Sequence, residues 1–321
     1  MTHYRETNKR LLIRALVVAG LMLSLPQWVM AETIAEMLNA VRSTVSSEED
    51  QKKITPPTEK ELELAERLFR RLFVGESGPD LRHKWAELGF ELTGTRSESV
   101  PMLVLREMGE GATQTDFVGK GFFVFAIGRD SKTVLQVPHS FHDPGTEDLA
   151  LNLMANNNFR AAVWNTAPAG LPTHPTLLPE LYEKPAKDYM LAFTRAQMTV
   201  ESDSHVVQLH SFDQKKMYST SGSHADIILS GYGEQPNQAI GWLGRCLKKK
   251  LDFKIRTFPY EVQEMGAGTN MAGATYNAIG ELMQKEESQG FVHLGMSGIF
   301  REELRTYPQV QKALFSCLSR E

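Results

Sequence analysis

From about residue 100 the chain alternates short apolar runs with longer amphipathic stretches. Met102–Arg106, Gly121–Ile127, Thr133–Val137, Arg160–Trp164, His205–Leu209, Asp226–Leu229, Phe253–Phe258 and Phe291–Leu294 read as strands, bounded by turn-forming residues. Thr146–Ala155, Tyr189–Val200, Gln238–Leu251, Thr275–Gln284 and Gln309–Leu318 carry helical spacing. This alternation predicts an α/β fold, a mixed, largely parallel sheet with helices on both faces. The first strands have no helices between them, which predicts an antiparallel edge.

The N-terminal third reads differently. Residues 32–99 form an N-terminal helical segment, an arm on the α/β domain of residues 100–321. It opens with an amphipathic pattern at Ile34, Met37, Leu38 and Val41 and runs into a charged connector, Ser46 to Pro57. Thr58 followed three residues later by Glu61 makes a capping box for the next helix, whose apolar content comes from Leu62, Leu64, Leu68 and Leu72. Such an arm packs on the main body or serves equally as a partner-binding segment.

Residues 1–31 have the form of a signal peptide. Arg5, Lys9, Arg10 and Arg14 precede an apolar core, Ala15 to Leu25, followed by Pro26 and the small-residue pattern Val29-Met30-Ala31. The apolar run is short for a bilayer span, so no stable membrane span is expected after cleavage. No cysteine stands near the cut to carry a lipid. A periplasmic or secreted protein is expected. Cleavage removes four basic residues and one acidic one, making the mature chain more acidic than the formal −4 of the whole. That charge argues against a nucleic-acid partner, which needs a basic stripe. The two cysteines, Cys246 and Cys317, could close a disulfide in an oxidising compartment or stay as free thiols.

Candidate chemistry concentrates after one strand. Thr133–Val137 stops at Pro138, and His139, His142, Asp143, Glu147 and Asp148 follow around a Pro144-Gly145 turn. Burying such side chains costs several kcal/mol unless something binds them. A second apolar strand, His205–Leu209, runs into His210. Side chains past the carboxyl ends of parallel strands line the ligand crevice of open α/β sheets. His139 and His210 therefore face each other if their strands are neighbours, and Asp143 can fold back across the turn. Two imidazoles and one carboxylate, with a fourth position for water, form the donor set of hydrolytic zinc sites. His142, pointing away by alternation, is a supporting residue. Glu147 and Asp148 also suit the first turn of a helix capped by Thr146.

His139-Ser-Phe-His-Asp-Pro-Gly-Thr-Glu, followed by Val206-Val-Gln-Leu-His210, resembles the zinc amidohydrolases related to zinc carboxypeptidases. Within that group it is similar to N-formylglutamate amidohydrolases and, more closely, to phage-type poly-γ-glutamate hydrolases. The likeness spans roughly residues 120–300 in short motifs only. It implies a phosphorylase/hydrolase-like fold, with His139, Asp143 and His210 as ligands of Zn2+. It also implies a small-molecule or peptide substrate with an amide bond near a carboxylate, of γ-glutamyl or N-formyl amino-acid type.

One segment departs from the pattern. The family's late strand carries a Glu that serves as general base, followed by Ser-Arg. Here Phe291-Val-His-Leu-Gly-Met-Ser-Gly298 places Gly295 at the Glu and Gly298 at the Arg. Loss of a general base costs about 10²–10⁴ in rate. Either His293, Glu147 or Glu264 takes over, or the protein is a degenerate, non-catalytic metal- or ligand-binding relative. The glycine-rich stretch Gly266–Gly273, with Asn270, reads as a loop. Arg160, Arg195 and Arg256 could each clamp a carboxylate.

Overall fold

The computed structural model describes residues 33–44, 57–97, 100–108, 119–141, 143–167, 188–232, 236–263 and 277–319. Nine strands among these residues form one sheet: β1 (Phe90–Ser97), β2 (Val100–Glu107), β3 (Phe122–Ala126), β4 (Thr133–Val137), β5 (Ala161–Trp164), β6 (His205–Phe212), β7 (Ile227–Ser230), β8 (Ile255–Thr257) and β9 (Phe291–Ser297). Their order is β1-β2-β3-β5-β4-β6-β9-β7-β8. The central strands β5, β4, β6 and β9 pair in parallel. β1, β2, β3 and β5 pair antiparallel along one flank, as the absence of helices between the early strands predicted. On the other flank β7 runs antiparallel to β9 and parallel to β8.

Alternation along each strand sorts the core onto two faces. Leu135, Val137, Val207, Leu209, Val292 and Leu294 pack on one. That face is covered by α1 (Ile34–Thr44), α4 (Thr146–Asn156), α7 (Gln238–Lys250), α9 (Gly298–Thr306) and α10 (Pro308–Leu318). Val134, Val206, Ile228 and Phe291 face the other way, against α2 (Glu59–Phe73), α3 (Pro79–Glu87), α5 (Tyr189–Val200) and α8 (Ala278–Lys285). Helices therefore lie on both faces of a mixed sheet. A short helix, α6 (Thr220–Ser223), follows β6.

The capping box is present as read: Thr58 Oγ1 accepts from the Glu61 amide at 3.3 Å, and Glu61 accepts from the Thr58 amide at 2.7 Å. It starts α2, whose Phe69 meets Trp85 and Phe123 at ring-centroid distances of 4.7 and 4.9 Å. Aromatic burial of this kind fastens the helical segment to the second face. On the first face α1 buries Met37, Leu38 and Val41.

Several local readings change. Residues 90–97, taken by pattern into the helical segment, are an edge strand paired along its whole length with β2. Its polar alternation, Phe-Glu-Leu-Thr-Gly-Thr-Arg-Ser, buries little beyond Phe90 and Leu92, so its apolar signal is faint. α9 was not foreseen, because Gly298 at its start reads as a breaker; the Ser297 side chain caps it by accepting from the Phe300 amide. α4 is capped by Gly145 at φ 80° instead of by Thr146. The left-handed conformation there suits glycine, and Thr146 Oγ1 donates instead to the Asp143 carbonyl at 2.8 Å. Residues 1–31, His142, Glu264 and Gly266–Gly273 lie outside the described residues. No helix among the described residues is long and apolar enough to cross a membrane.

Candidate metal centre

β4 and β6 are neighbours in register, Val134 beside Val206 and Gln136 beside Gln208. This brings His139, two residues past β4, to a ring-centroid distance of 5.1 Å from His210. β9 adds a third imidazole. His293 stacks on His210 with centroids 4.0 Å apart and planes 23° from parallel. His210 does not end its strand as the sequence suggested. β6 runs two residues further because Ser211 and Phe212 pair with Met296 and Ser297 of β9.

Asp143 closes the group. Its carboxylate accepts from the Ser211 amide at 3.0 Å and from Ser211 Oγ at 3.1 Å, and lies 3.5 Å from His210 Nδ1. Burial pushes the Asp143 pKa up, but the His210 contact, the charges of His210 and His139 and the Ser211 amide outweigh it and hold the carboxyl below its ordinary range. A carboxylate at Nδ1 leaves Nε2 of the same ring as the outward-facing nitrogen. His210 Nε2 is buried and has no hydrogen-bond partner among the described residues, and the same holds for His293 Nδ1. His293 is held well below the ordinary histidine pKa, first by burial and then by the neighbouring His210 and His139.

Such orphaned nitrogens are costly when buried unless a cation or a donor reaches them. Two open imidazole nitrogens beside a carboxylate and a third histidine suit zinc in donor chemistry. Among the described residues no three His, Cys, Asp or Glu donors already converge as a finished metal cage. The donor types fit, and their convergence is not preset.

A chain of amide side chains, buried from Gln208 inward, runs behind the centre on the His210 side of the sheet. Asn277, the N-cap of α8, donates to Gln208 Oε1 at 2.7 Å, Gln208 donates to Gln136 Oε1 at 2.9 Å, and Gln136 donates to Thr194 Oγ1 at 2.8 Å. Gln208 and His293 are partners across β6 and β9. Sequence reasoning missed this chain. Its signal was present in the two glutamines, each flanked by apolar residues within its strand.

Glu147 stands in the first turn of α4 and is buried, with Oε1 3.2 Å from Nη1 of Arg42 on α1 and Oε2 unpartnered among the described residues. Burial raises its pKa, while the amides of Glu147 and Gly145 and the Arg42 charge pull the other way. The folded protein thus binds this proton more tightly than the unfolded chain does. Glu147's contribution to stability is full below its unfolded pKa and is lost as pH rises through the folded value. Glu147→Gln is expected to change stability little near pH ~4 and to stabilise the protein near pH ~8, measured by urea unfolding at both. A variant effect of equal size at the two values would contradict this reading.

The arginines singled out earlier serve elsewhere. Arg160 donates to the carbonyls of Arg129 and Phe73, and Arg256 lies 3.9 Å from Glu261. Arg195 is exposed on α5. Gly295 sits directly opposite His210 in the β6–β9 register and opposite Ile228 on its other side. The position on β9 facing the imidazole therefore carries no side chain.

Fold and site together define an α/β protein with a histidine–carboxylate centre at the C-terminal edge of its central parallel strands. No protein-family profile and no curated protein matches the sequence. Among solved structures it is similar to an N-formylglutamate amidohydrolase from Ralstonia eutropha JMP134, at 13% identity and a TM-score of 0.39 over 60% of this chain and 93% of that one. A gene product from Agrobacterium tumefaciens gives 10% identity and a TM-score of 0.41 over 60% and 89%. A candidate metallopeptidase from Shewanella amazonensis SB2B gives 10% identity and 0.33 over 75% and 90%.

Proposed function

We propose that this protein is a zinc-dependent hydrolase of amide bonds in small acidic or peptide-derived substrates, working in the periplasm or outside the cell. The observation that carries it is the His210 ring lying between His139 and His293, which come from the two flanking strand segments, with two buried imidazole nitrogens unpartnered among the described residues. His139 and His210 hold the metal in this reading, and Asp143 is the acidic third member that also orients His210. Zinc bound there supplies a water with a pKa of about 7 and polarises a carbonyl. His293, buried with Nδ1 unpartnered among the described residues, would be the base nearest to such a water. Glu147 is the reserve carboxyl, tied to Arg42. A disulfide between Cys246 and Cys317 supports export to an oxidising compartment.

Gly295 favours a second reading, a metal- or ligand-binding protein without turnover, because the strand position facing His210 offers no base. Hydrolysis of N-formyl-L-glutamate and γ-glutamyl peptides by the mature protein, with zinc and with chelator, separates the two. Zinc-dependent turnover lost in His210→Ala supports the hydrolase, and Gly295→Glu is then expected to raise the rate by about 10². Zinc retained without turnover selects the second reading. Absence of both overturns the metal centre itself.

A further inference from the structure

The first helix of the arm reaches the histidine centre. α1 buries Met37, Leu38 and Val41 on the first face, and Arg42 stands beside them in its last turn. The Arg42 guanidinium lies over the Phe141 ring, 6.0 Å from its centroid, and Nη1 donates to Glu147 Oε1 at 3.2 Å. These two contacts bracket the loop that carries the chemistry. Phe141 stands midway between His139 and Asp143, and Glu147 lies just beyond the Pro144-Gly145 turn.

The loop's own bonds shape its backbone. The Asp143 amide donates to the His139 carbonyl at 2.8 Å, and Ser140 Oγ donates to the Val137 carbonyl at 2.8 Å. Asp143 ties the loop to β6 through Ser211. Arg42 adds a tie from a third element. A guanidinium can rest on a ring by its face and hold a carboxylate by its edge at once, so one side chain fixes both points. Glu147 is buried and cannot swing out to follow a moving partner. Either contact alone is modest at a half-exposed arginine. Together they join two points of one loop to a helix seated by three buried apolar side chains.

We propose that Arg42 is a positioning residue of the centre, holding the loop from His139 to Glu147 in the shape that presents His139 and Asp143. The clamp is argued from the contacts of Arg42 itself. Its effect on metal binding rests on the zinc reading above.

Hydrogen exchange of the mature protein, freed of metal by chelator, tests the clamp with no metal present. Arg42→Gln is expected to speed exchange at the Asp143 and Thr146 amides by about tenfold and to leave the central strands unchanged. Arg42→Lys, which keeps a cation between ring and carboxylate, is expected to restore most of the protection. Zinc titration then tests the positioning. Arg42→Gln should weaken binding by about tenfold, as loss of a group supporting a metal ligand does. Phe141→Leu should weaken it similarly, and the two changes together no more than the worse of them alone. With cobalt in place of zinc, the visible bands should move in Arg42→Gln and return in Arg42→Lys, which a general loss of stability would not produce. Unchanged exchange or unchanged zinc affinity in Arg42→Gln, or additive losses in the double variant, overturns the proposal. Faster exchange in Arg42→Gln, with no zinc bound by wild-type protein, would sink the metal reading and leave the clamp standing.

Discussion

Replacing His210 by alanine is expected to empty the centre of metal. Mature protein exposed to zinc and then desalted should hold about one ion per chain, and His210→Ala and His139→Ala close to none. His210 has the larger role because it is the middle ring, 5.1 Å from His139 and 4.0 Å from His293. Its removal takes away one open nitrogen and also the group that Asp143 orients. Asp143→Asn tests the orienting role separately. The amide can still accept from Ser211 but loses the charge that favours the metallated ring, so zinc affinity should fall by about 10–100-fold, the usual cost of losing such a partner. Equal zinc content in all of these proteins would rule the centre out.

The second large effect concerns stability. Cys246 on α7 and Cys317 on α10 are joined, closing a loop with a sequence separation of 71 residues. Loop-closure entropy for a span of that size gives about 4 kcal/mol, a large fraction of a domain's net stability. Both helices pack on the same face of the sheet, and Cys317 is fully buried. Reduction therefore frees the chain's last helix in the unfolded ensemble and weakens its seat in the folded one. The double replacement Cys246→Ser with Cys317→Ser is expected to lower the melting temperature by on the order of 10 °C. Wild-type protein in reductant should approach the same value. A shift within error of zero in both would show that the bridge constrains nothing the fold does not already hold.

Much of the fold could be read from periodicity because the central strands are buried on both faces. Thr133–Val137 and the helix Tyr189–Val200 come out with the boundaries read from sequence. Phe90–Ser97 escaped because an edge strand needs only one apolar face, and two buried residues make a weak pattern. Whether the two cysteines pair was open in the sequence, since spacing says nothing of which helices meet. At the site, His139, Asp143 and His210 could be picked out because each breaks an apolar or turn context. His293 was named only as a substitute base, and its stacking on His210 depends on the β6–β9 register, which no local pattern encodes.

The buried chain Asn277–Gln208–Gln136–Thr194 has a consequence for how the sheet assembles. Strand pairing driven by valine and leucine alone tolerates slippage. A slip of one residue in β6 would turn Gln208 onto the opposite, apolar face and strand the amides of Asn277 and Gln136 without partners. Each stranded group costs about 1–3 kcal/mol, so misaligned sheets are disfavoured by several kcal/mol. The chain works as an alignment key: it fixes the register that sets His293 beside Gln208 and Gly295 beside His210 as the strands come together, before any ligand arrives.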